Sequence, residues 1–319
     1  MKDFLVIALS LSAIALVVIC PLPASDASAS TPSSVSYTWD FSREIEYTYN
    51  NDTVTVTKGE LGISGHPIIE RMWVRGTPVA IDATDSGHVY LAENYSIPGD
   101  TPEEDMNRVR LIEYDWKMEK FLTVLVKEGT GYECGAAAVS LDPDGVLVAG
   151  HERVKNNTPH TSWLRKYSRD LNFIWKKTFA KQAAVSVASD SYGNSVIGTV
   201  PYREHTANIT RFDKNGGTTW SKKIADGTFD YQLEDVACDW NGDVIVAGSY
   251  CPRGKDQRWQ WVRKLNGSDG SQLWEYKMAP GRSDQQAEVT AVVADHWGNV
   301  VTAGENCLKL GCSDGALIW

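Results

Sequence analysis

The chain has 319 residues, 42% of them hydrophobic, and a formal net charge of −10, with acidic and basic residues interspersed rather than blocked. A nucleic-acid surface needs a concentrated positive field, so this balance argues against DNA or RNA as a partner. Of the six cysteines, five lie beyond the leader described next, an odd number that leaves at least one thiol outside any intramolecular bridge.

Residues 1–29 read as a secretory signal: Lys2, an apolar run from Phe4 to Cys20, and a small-residue stretch with Ala27, Ser28 and Ala29 that places cleavage after Ala29. A retained anchor is the competing reading, because the run is near the shortest length that spans a bilayer. A lipoprotein reading through Cys20 is weaker, since Ile19 stands where a small residue is expected. No second apolar run is long enough to span a membrane, so the remainder is expected to be secreted or displayed at the cell surface.

Residues 30–79 hold a Trp-containing strand around Tyr37 to Arg43 and alternating runs on either side of Asn50 and Asn51, which predict an extra hairpin. Residues 80–319 are repetitive. Five segments, IDATDSGHVYLAEN, LDPDGVLVAGHE, SDSYGNSVIGTV, CDWNGDVIVAGSY and ADHWGNVVTAGEN, each read as strand, tight Asp/Asn/Gly turn and strand, with turn glycines Gly87, Gly145, Gly193, Gly242 and Gly298. Those glycines are expected to hold a positive φ. Each is followed by a second half, RLIEYDWKMEKF, WLRKYSRDLNFIW, ITRFDKNGGTTW, VRKLNGSDGSQLW or LKLGCSDGALIW, which reads as strand, polar turn, strand. A column formed by Glu113, Lys166, Arg211, Lys264 and Lys309 recurs at steps of 53, 45, 53 and 45 residues. Four short strands per step and no amphipathic helix predict an all-β fold, a β-propeller of about five four-stranded blades.

The last unit stops at Trp319, where its outer strand should begin, and the strand around Trp39 is of the same type. Closure of the ring by that N-terminal strand removes two exposed edges. The competing account is a longer chain with further blades.

These units resemble the β-propeller repeat family of exported microbial proteins, with "D..GN.yvaG" followed by "v.K.d..G...W", over residues 80–319, the unit around Gly87 being degenerate. VRKLNGSDGSQLWEYKM is also similar to the tryptophan-docking repeat of quinoprotein propellers. The resemblance implies the fold and an exported location. Quinoprotein dehydrogenases are longer and hold their cofactor beside adjacent cysteines, and no two cysteines are adjacent here, so no cofactor is expected.

The column Trp175, Trp220, Trp274 and Trp319, with Phe121 in the first slot, is read as filling the gaps between blades rather than stacking on a ligand. The carboxylates of LDPDG and DWNGD are spaced as in calcium loops, but Asp and Asn are also what tight turns require, and calcium is the weaker reading. His151, His160 and His205 fall at different repeat positions and would make zinc ligands only if folding converged them. No metalloprotease, phosphate-loop or nucleophile-elbow motif is present. Sequons at Asn51, Asn94, Asn156, Asn208 and Asn266 are candidate glycan acceptors. Cys251 and Cys307 each follow an equivalent glycine, Gly248 and Gly304, by three residues and form the expected disulfide pair.

The connections between second and third strands, 93–109, 151–162, 199–207 and 249–260, are long and dissimilar, whereas the other turns are short and alike. Variation on one face of a regular scaffold marks the expected binding face. Its residues are Glu93, Glu103, Glu104, His151, Glu152, Arg203, His205, Tyr250, Arg253 and Arg258, with Glu133, Asp230 and Gln286 from the entering loops. The expected function is a non-catalytic binding or scaffolding module for an extracellular protein or glycan. The alternatives are a glycan hydrolase or lyase, which needs opposed carboxylates, and a quinoprotein-like redox protein.

Overall fold

The computed structural model describes side chains over residues 79–94, 108–114, 126, 134–153, 160–255, 258–278, 287–305 and 307–318, and strand backbone also at 4–11, 14–21, 43–49, 52–58, 72–73, 76–97, 106–115, 120–130 and 133. Every regular element among these is a strand, and no helix is long and apolar enough to cross a membrane. The apolar run near the start forms two paired strands, Phe4–Leu11 and Ile14–Pro21. Arg43–Tyr49 pairs with Asp52–Lys58, Tyr49 opposite Asp52, which is the extra hairpin; Met72–Trp73 adds a third strand.

Five antiparallel sheets follow, each with its strands in chain order. Blade one comprises Gly76–Ala83, His88–Ile97, Met106–Asp115 and Lys120–Thr130. Blade two comprises Glu133–Asp142, Gly145–Arg153, Thr161–Ser168 and Phe173–Ala180. Blade three is Gln182–Ser189, Ser195–Pro201, Ala207–Phe212 and Thr218–Ile224, and blade four is Phe229–Cys238, Val244–Pro252, Trp259–Leu265 and Gln272–Lys277. Blade five has three strands, Val289–Ala294, Val300–Gly304 and Leu308–Leu310, extended by a bridge from Leu310 to Leu317. The first strands of successive blades adjoin one another, which makes the arrangement a propeller. The strand around Trp39 and Trp319 itself, which the closure reading pairs, lie outside the described residues.

Four apolar cores lie between neighbouring blades rather than within them. Val146, Val148 and Trp163 of blade two face Tyr90, Val109 and Leu111 of blade one, and Val244, Val246 and Trp261 of blade four face Val196, Ile209 and Trp220 of blade three. The other two fill the second and fourth junctions. Each first strand carries a β-bulge at the same place, between Pro78 and Ala80 in blade one and between Leu233 and Asp235 in blade four, for example, which bends it around the axis.

The repeated polar residues form one node per junction. Turn aspartates bond their own turn amides, as Asp239 does with the N–H groups of Asn241 and Asp243 at 2.9 Å. They also pair with the basic column of the same blade: Asp142 with Lys166, Asp190 with Arg211 at 2.5 Å, Asp239 with Lys264 at 2.7 Å and Asp295 with Lys309 at 3.1 Å. These carboxylates are engaged as turn caps and ion-pair partners. The column then reaches the next blade, where Arg211 bonds the Gly242 carbonyl at 2.6 Å and Lys264 the Cys312 carbonyl at 3.3 Å.

The tryptophan column does the same. Trp175, Trp220 and Trp274 donate their indole N–H to the carbonyls of Lys214, Gly267 and Cys312 in the following blade, at 3.3, 2.9 and 3.0 Å. Trp220 rests on Gly270, where φ is +71° and an added Cβ would stand 2.8 Å from the ring, so the docking surface requires glycine. The rings thus join blades, as the sequence indicates. Gly145 departs from expectation: its blade turns over two residues, with Asp142 opposite Gly145, and it is absent from the positive-φ glycines that include Gly87, Gly193, Gly242 and Gly298. Its constraint is space, since a Cβ would meet the Tyr167 carbonyl at 2.1 Å.

Blade one breaks the pattern. Thr84 replaces the turn aspartate and Glu113 the basic residue, and Glu113 pairs instead with His88 at 2.8 Å. Arg169 of blade two lies 5.8 Å from the Tyr90 ring and accepts its hydroxyl on a backbone carbonyl at 3.0 Å.

Candidate functional site

The expected binding face holds a groove of about 910 Å³ between blades three and four. Two connections build it: residues 203–206 after Ser195–Pro201, and residues 253–255 and 258 after Val244–Pro252. Arg203, His205, Asp230, Tyr250, Arg253 and Arg258 converge there although they lie up to 55 positions apart in the chain.

Its floor is aromatic. Tyr250, 5% exposed, packs against Phe229 at 5.4 Å and Trp259 at 5.5 Å, and donates its hydroxyl to the Met278 carbonyl at 2.9 Å. The Lys277 ammonium sits 5.1, 5.1 and 5.2 Å from the rings of Phe229, Tyr231 and Tyr250, an occupied aromatic cage. Lys277 donates to the Tyr231 hydroxyl at 2.7 Å, and that hydroxyl donates to Asp226 at 2.8 Å. Burial, with Asp226 beside it, pushes the Tyr231 phenol well up. No local pattern marks this half-buried cation and its rings, because Lys277 ends the outer strand of blade four, Phe229 and Tyr231 begin the inner one, and Tyr250 lies near the end of the second.

The rim is cationic. Arg203 adopts a left-handed φ of 60° and lies over Tyr202 at 5.0 Å, which turns its guanidinium outward. Arg253, 64% exposed in its side chain, makes one long contact of 3.4 Å with Asp230. Lys223, Lys255 and Arg258 complete the rim, against the carboxylates of Glu204 and Asp230. Lys223 bonds Glu204 at 2.6 Å and holds that carboxyl below the usual range. Arg258 bonds Gln232 and approaches Glu288 at 3.5 Å.

Other expected site residues lie elsewhere. Glu93 is a correction: the second strand of blade one runs on to Ile97, so Glu93 is not in a loop but buried, 2% exposed, opposite and ion-paired with Arg110. Burial pushes its carboxyl up, against the pull of Arg110. His151 and Glu152 end a strand of blade two, and the His151 ring meets His160 at 4.9 Å. His205 lies in the blade three–four groove instead, so the three histidines do not converge. Glu133 pairs through its backbone with Arg153. Glu103, Glu104, Gln286, Asn51 and Asn156 lie outside the described residues. Asn266 sits in a turn, but Asn94 and Asn208 are on strands with their amides engaged, Asn94 accepting from the Ala136 N–H at 2.7 Å and Asn208 donating to Gln182 at 3.2 Å.

The expected Cys251–Cys307 bridge is not formed. Cys251 is buried on Val244–Pro252 opposite Asp230, whereas the equivalent strand of blade five ends at Gly304 and leaves Cys307 off the sheet as an exposed free thiol. Cys238 is different again: burial first, then the carboxylates of Asp190, Asp239 and Asp243, push its thiol up to about 12. A thiol reagent at pH 8 should therefore label Cys307 within minutes in the folded protein and leave Cys238 unlabelled until denaturant is added. Peptide mapping of labelled protein checks this, and early labelling of Cys238 would contradict the packing described.

No family model and no curated protein matches the sequence. Solved structures do match in fold. The chain is similar to the Dos1 propeller, at 11% identity and a TM-score of 0.54, over 83% of this chain and 66% of that one. It is also similar to the periplasmic gluconolactonase PpgL of Pseudomonas aeruginosa, at 11% identity and a TM-score of 0.51, over 88% and 81% of the two chains. The match thus spans just under two thirds of the Dos1 propeller. Likeness at this identity establishes the β-propeller scaffold and nothing finer.

Proposed function

We propose that the chain is an exported, non-catalytic β-propeller binding module whose ligand is an anionic extracellular protein or glycan, held in the groove between blades three and four. The observation that carries this reading is the convergence of Arg203, Lys223, Arg253, Lys255 and Arg258 on one groove in a chain of net charge −10. A local excess of cations against the overall charge steers anions to that site. The leader, Phe4 to Cys20 followed by Ala27 to Ala29, and the likeness of the repeats to exported propellers support export. Lys223 holds the Glu204 carboxyl below the usual range, so this groove carboxylate is not poised as a general acid.

The test uses the chain expressed with its leader, the exported product mapped at its N-terminus, and a panel of uronate-containing and sulfated glycans and acidic peptides. Binding to at least one is expected, weakening steeply with salt, and Arg253→Ala/Lys255→Ala should weaken it about tenfold, roughly 1.4 kcal/mol. Both side chains are exposed, so folding is unaffected. Equal binding by the double variant would assign the anion site to another part of the surface and end this reading.

A further inference from the structure

The opposite face, made by the turns between first and second strands, has a different chemistry. Tyr192, Trp240 and Trp297 stand at the tips of these turns in blades three, four and five and are 65%, 57% and 64% exposed. The tips are held firmly. Asp190 and Asp295 take two amides each from their own turns, as Asp239 does, and the Trp240 indole nitrogen lies 3.2 Å from where a Cβ on Gly298 of the next blade would stand. Three rings are thus presented along one continuous rim.

Blades one and two carry no ring at these tips; their turns are Asp85-Ser86 and Pro143-Asp144. They open instead into a trough of about 720 Å³, whose lining includes the hydroxyls of Thr84, Ser86 and Ser191, the carboxylates of Asp85 and Asp170, and the side chains of His88 and Arg169. The trough and the row meet in blade three, where Ser191 lines the trough and Tyr192 begins the row. Flat exposed rings match the C–H faces of pyranoses, and convergent hydroxyls and carboxylates match their hydroxyl groups.

Charge and the polar residues between the rings decide among occupants. Among the described turns of this face Asp85, Asp144, Asp170, Asp269 and Asp314 are exposed, against Lys214 and the Arg169 that lines the trough, and this acidic excess would repel an anionic lipid surface or a polyanion. Exposed Ser191, Asn241 and His296 adjoin the rings in their turns, so the rings form no contiguous apolar core of the kind a protein interface needs.

We propose that this turn face is a second binding site, for a neutral polysaccharide chain that stacks along Tyr192, Trp240 and Trp297 and enters the trough. It is independent of the cationic groove.

The probes are cellulose, xylan, mannan, β-1,3-glucan and chitin, used with the full chain in pull-down and affinity electrophoresis and with tryptophan emission as a direct readout. At least one should bind with a change in emission, and Trp240→Ala/Trp297→Ala should lose at least tenfold in affinity and most of that change while its circular dichroism is unaltered. Tyr192→Ala should lose less, and Arg253→Ala/Lys255→Ala should bind these glycans as the unaltered chain does. The proposal is overturned if none of the panel binds, if the tryptophan double variant binds equally well, or if the double variant instead abolishes self-association or phosphatidylcholine vesicle binding. Loss of anion binding in the groove variant alone bears on the groove and leaves this site standing.

Discussion

Replacing Lys264 by methionine should lower the unfolding free energy by about 3–5 kcal/mol, and Tm by on the order of 10 °C, because it leaves a buried carboxylate without its partner. Lys264 and Asp239 are 2% and 0% exposed in their side chains and 2.7 Å apart. Blade five supplies the control. Lys309 and Asp295 make the same pair at 22% and 19% exposure, where water screens it, and Lys309→Met should cost less than about 1 kcal/mol. The two variants break the same Asp–Lys pair at different burial, Lys264 losing in addition its bond to the Cys312 carbonyl and its approach to Asp243 at 3.6 Å, and thermal unfolding of both compares the buried pair with the screened one. Asp239→Asn combined with Lys264→Met should recover most of the loss, since the amide still accepts from the turn and no charge remains buried. Burial works against the Lys264 ammonium, but the Asp239 hydrogen bond and charge outweigh it and hold its pKa above the usual lysine value. A raised lysine stabilises fully below its unfolded value and loses that contribution as pH rises through the folded one. The pair is therefore intact at neutral pH and should be lost only in strong alkali. Small, equal losses for Lys264→Met and Lys309→Met would refute the assignment.

Asp235 should be the second most sensitive position. It occupies the bulge of blade four's first strand and accepts from three donors in three blades: the Ser186 hydroxyl at 2.6 Å, the Val236 N–H at 2.9 Å and the Val292 N–H at 2.8 Å. Only a carboxylate offers acceptors toward all three. Asp235→Ala leaves buried amides unpaired and should lose about 2–5 kcal/mol, at roughly 1–3 kcal/mol for each orphaned group. Asp235→Asn keeps one oxygen but turns an NH₂ toward the Val292 N–H, donor against donor, and should fall between Asp235→Ala and Ser186→Ala. Denaturant midpoints at constant slope check the order. An Asp235→Asn protein as stable as the unaltered chain would show that the bolt between blades three, four and five is not a determinant of stability.

Residue 235 also shows where sequence reading stops. Its carboxylate sits one residue after Glu234 in a strand that otherwise looks like any inner strand, and nothing local marks it as the acceptor for Val292, 57 positions away. Asp82 plays the same part between blades one and two, accepting the Leu141 N–H at 2.8 Å. Glu93 failed for a related reason: strand length is set by pairing with Arg110, which a single strand does not display. The aromatic tips were visible as letters in SDSYGN, CDWNGD and ADHWGN, but those turns were read for their Asp and Gly, and only their common exposure on one rim gives Tyr192, Trp240 and Trp297 a joint meaning.

Features that repeat within one blade are legible from the chain alone. Turn aspartates, turn glycines, the basic column and the tryptophan column are local features recurring at a fixed step, so four strands per unit and the propeller class follow from periodicity alone. The partners of those columns were not determined, because Trp220 and Arg211 find the Gly267 carbonyl, and Lys264 the Cys312 carbonyl, only when blades stand side by side. The groove of blades three and four and the ring-bearing rim belong to the same class. Each is assembled from segments about fifty residues apart, brought together by the rotation of one sheet onto the next, and that rotation is fixed by interblade packing of residues such as Trp175 of blade two on Phe212 of blade three at 6.1 Å rather than by any local preference.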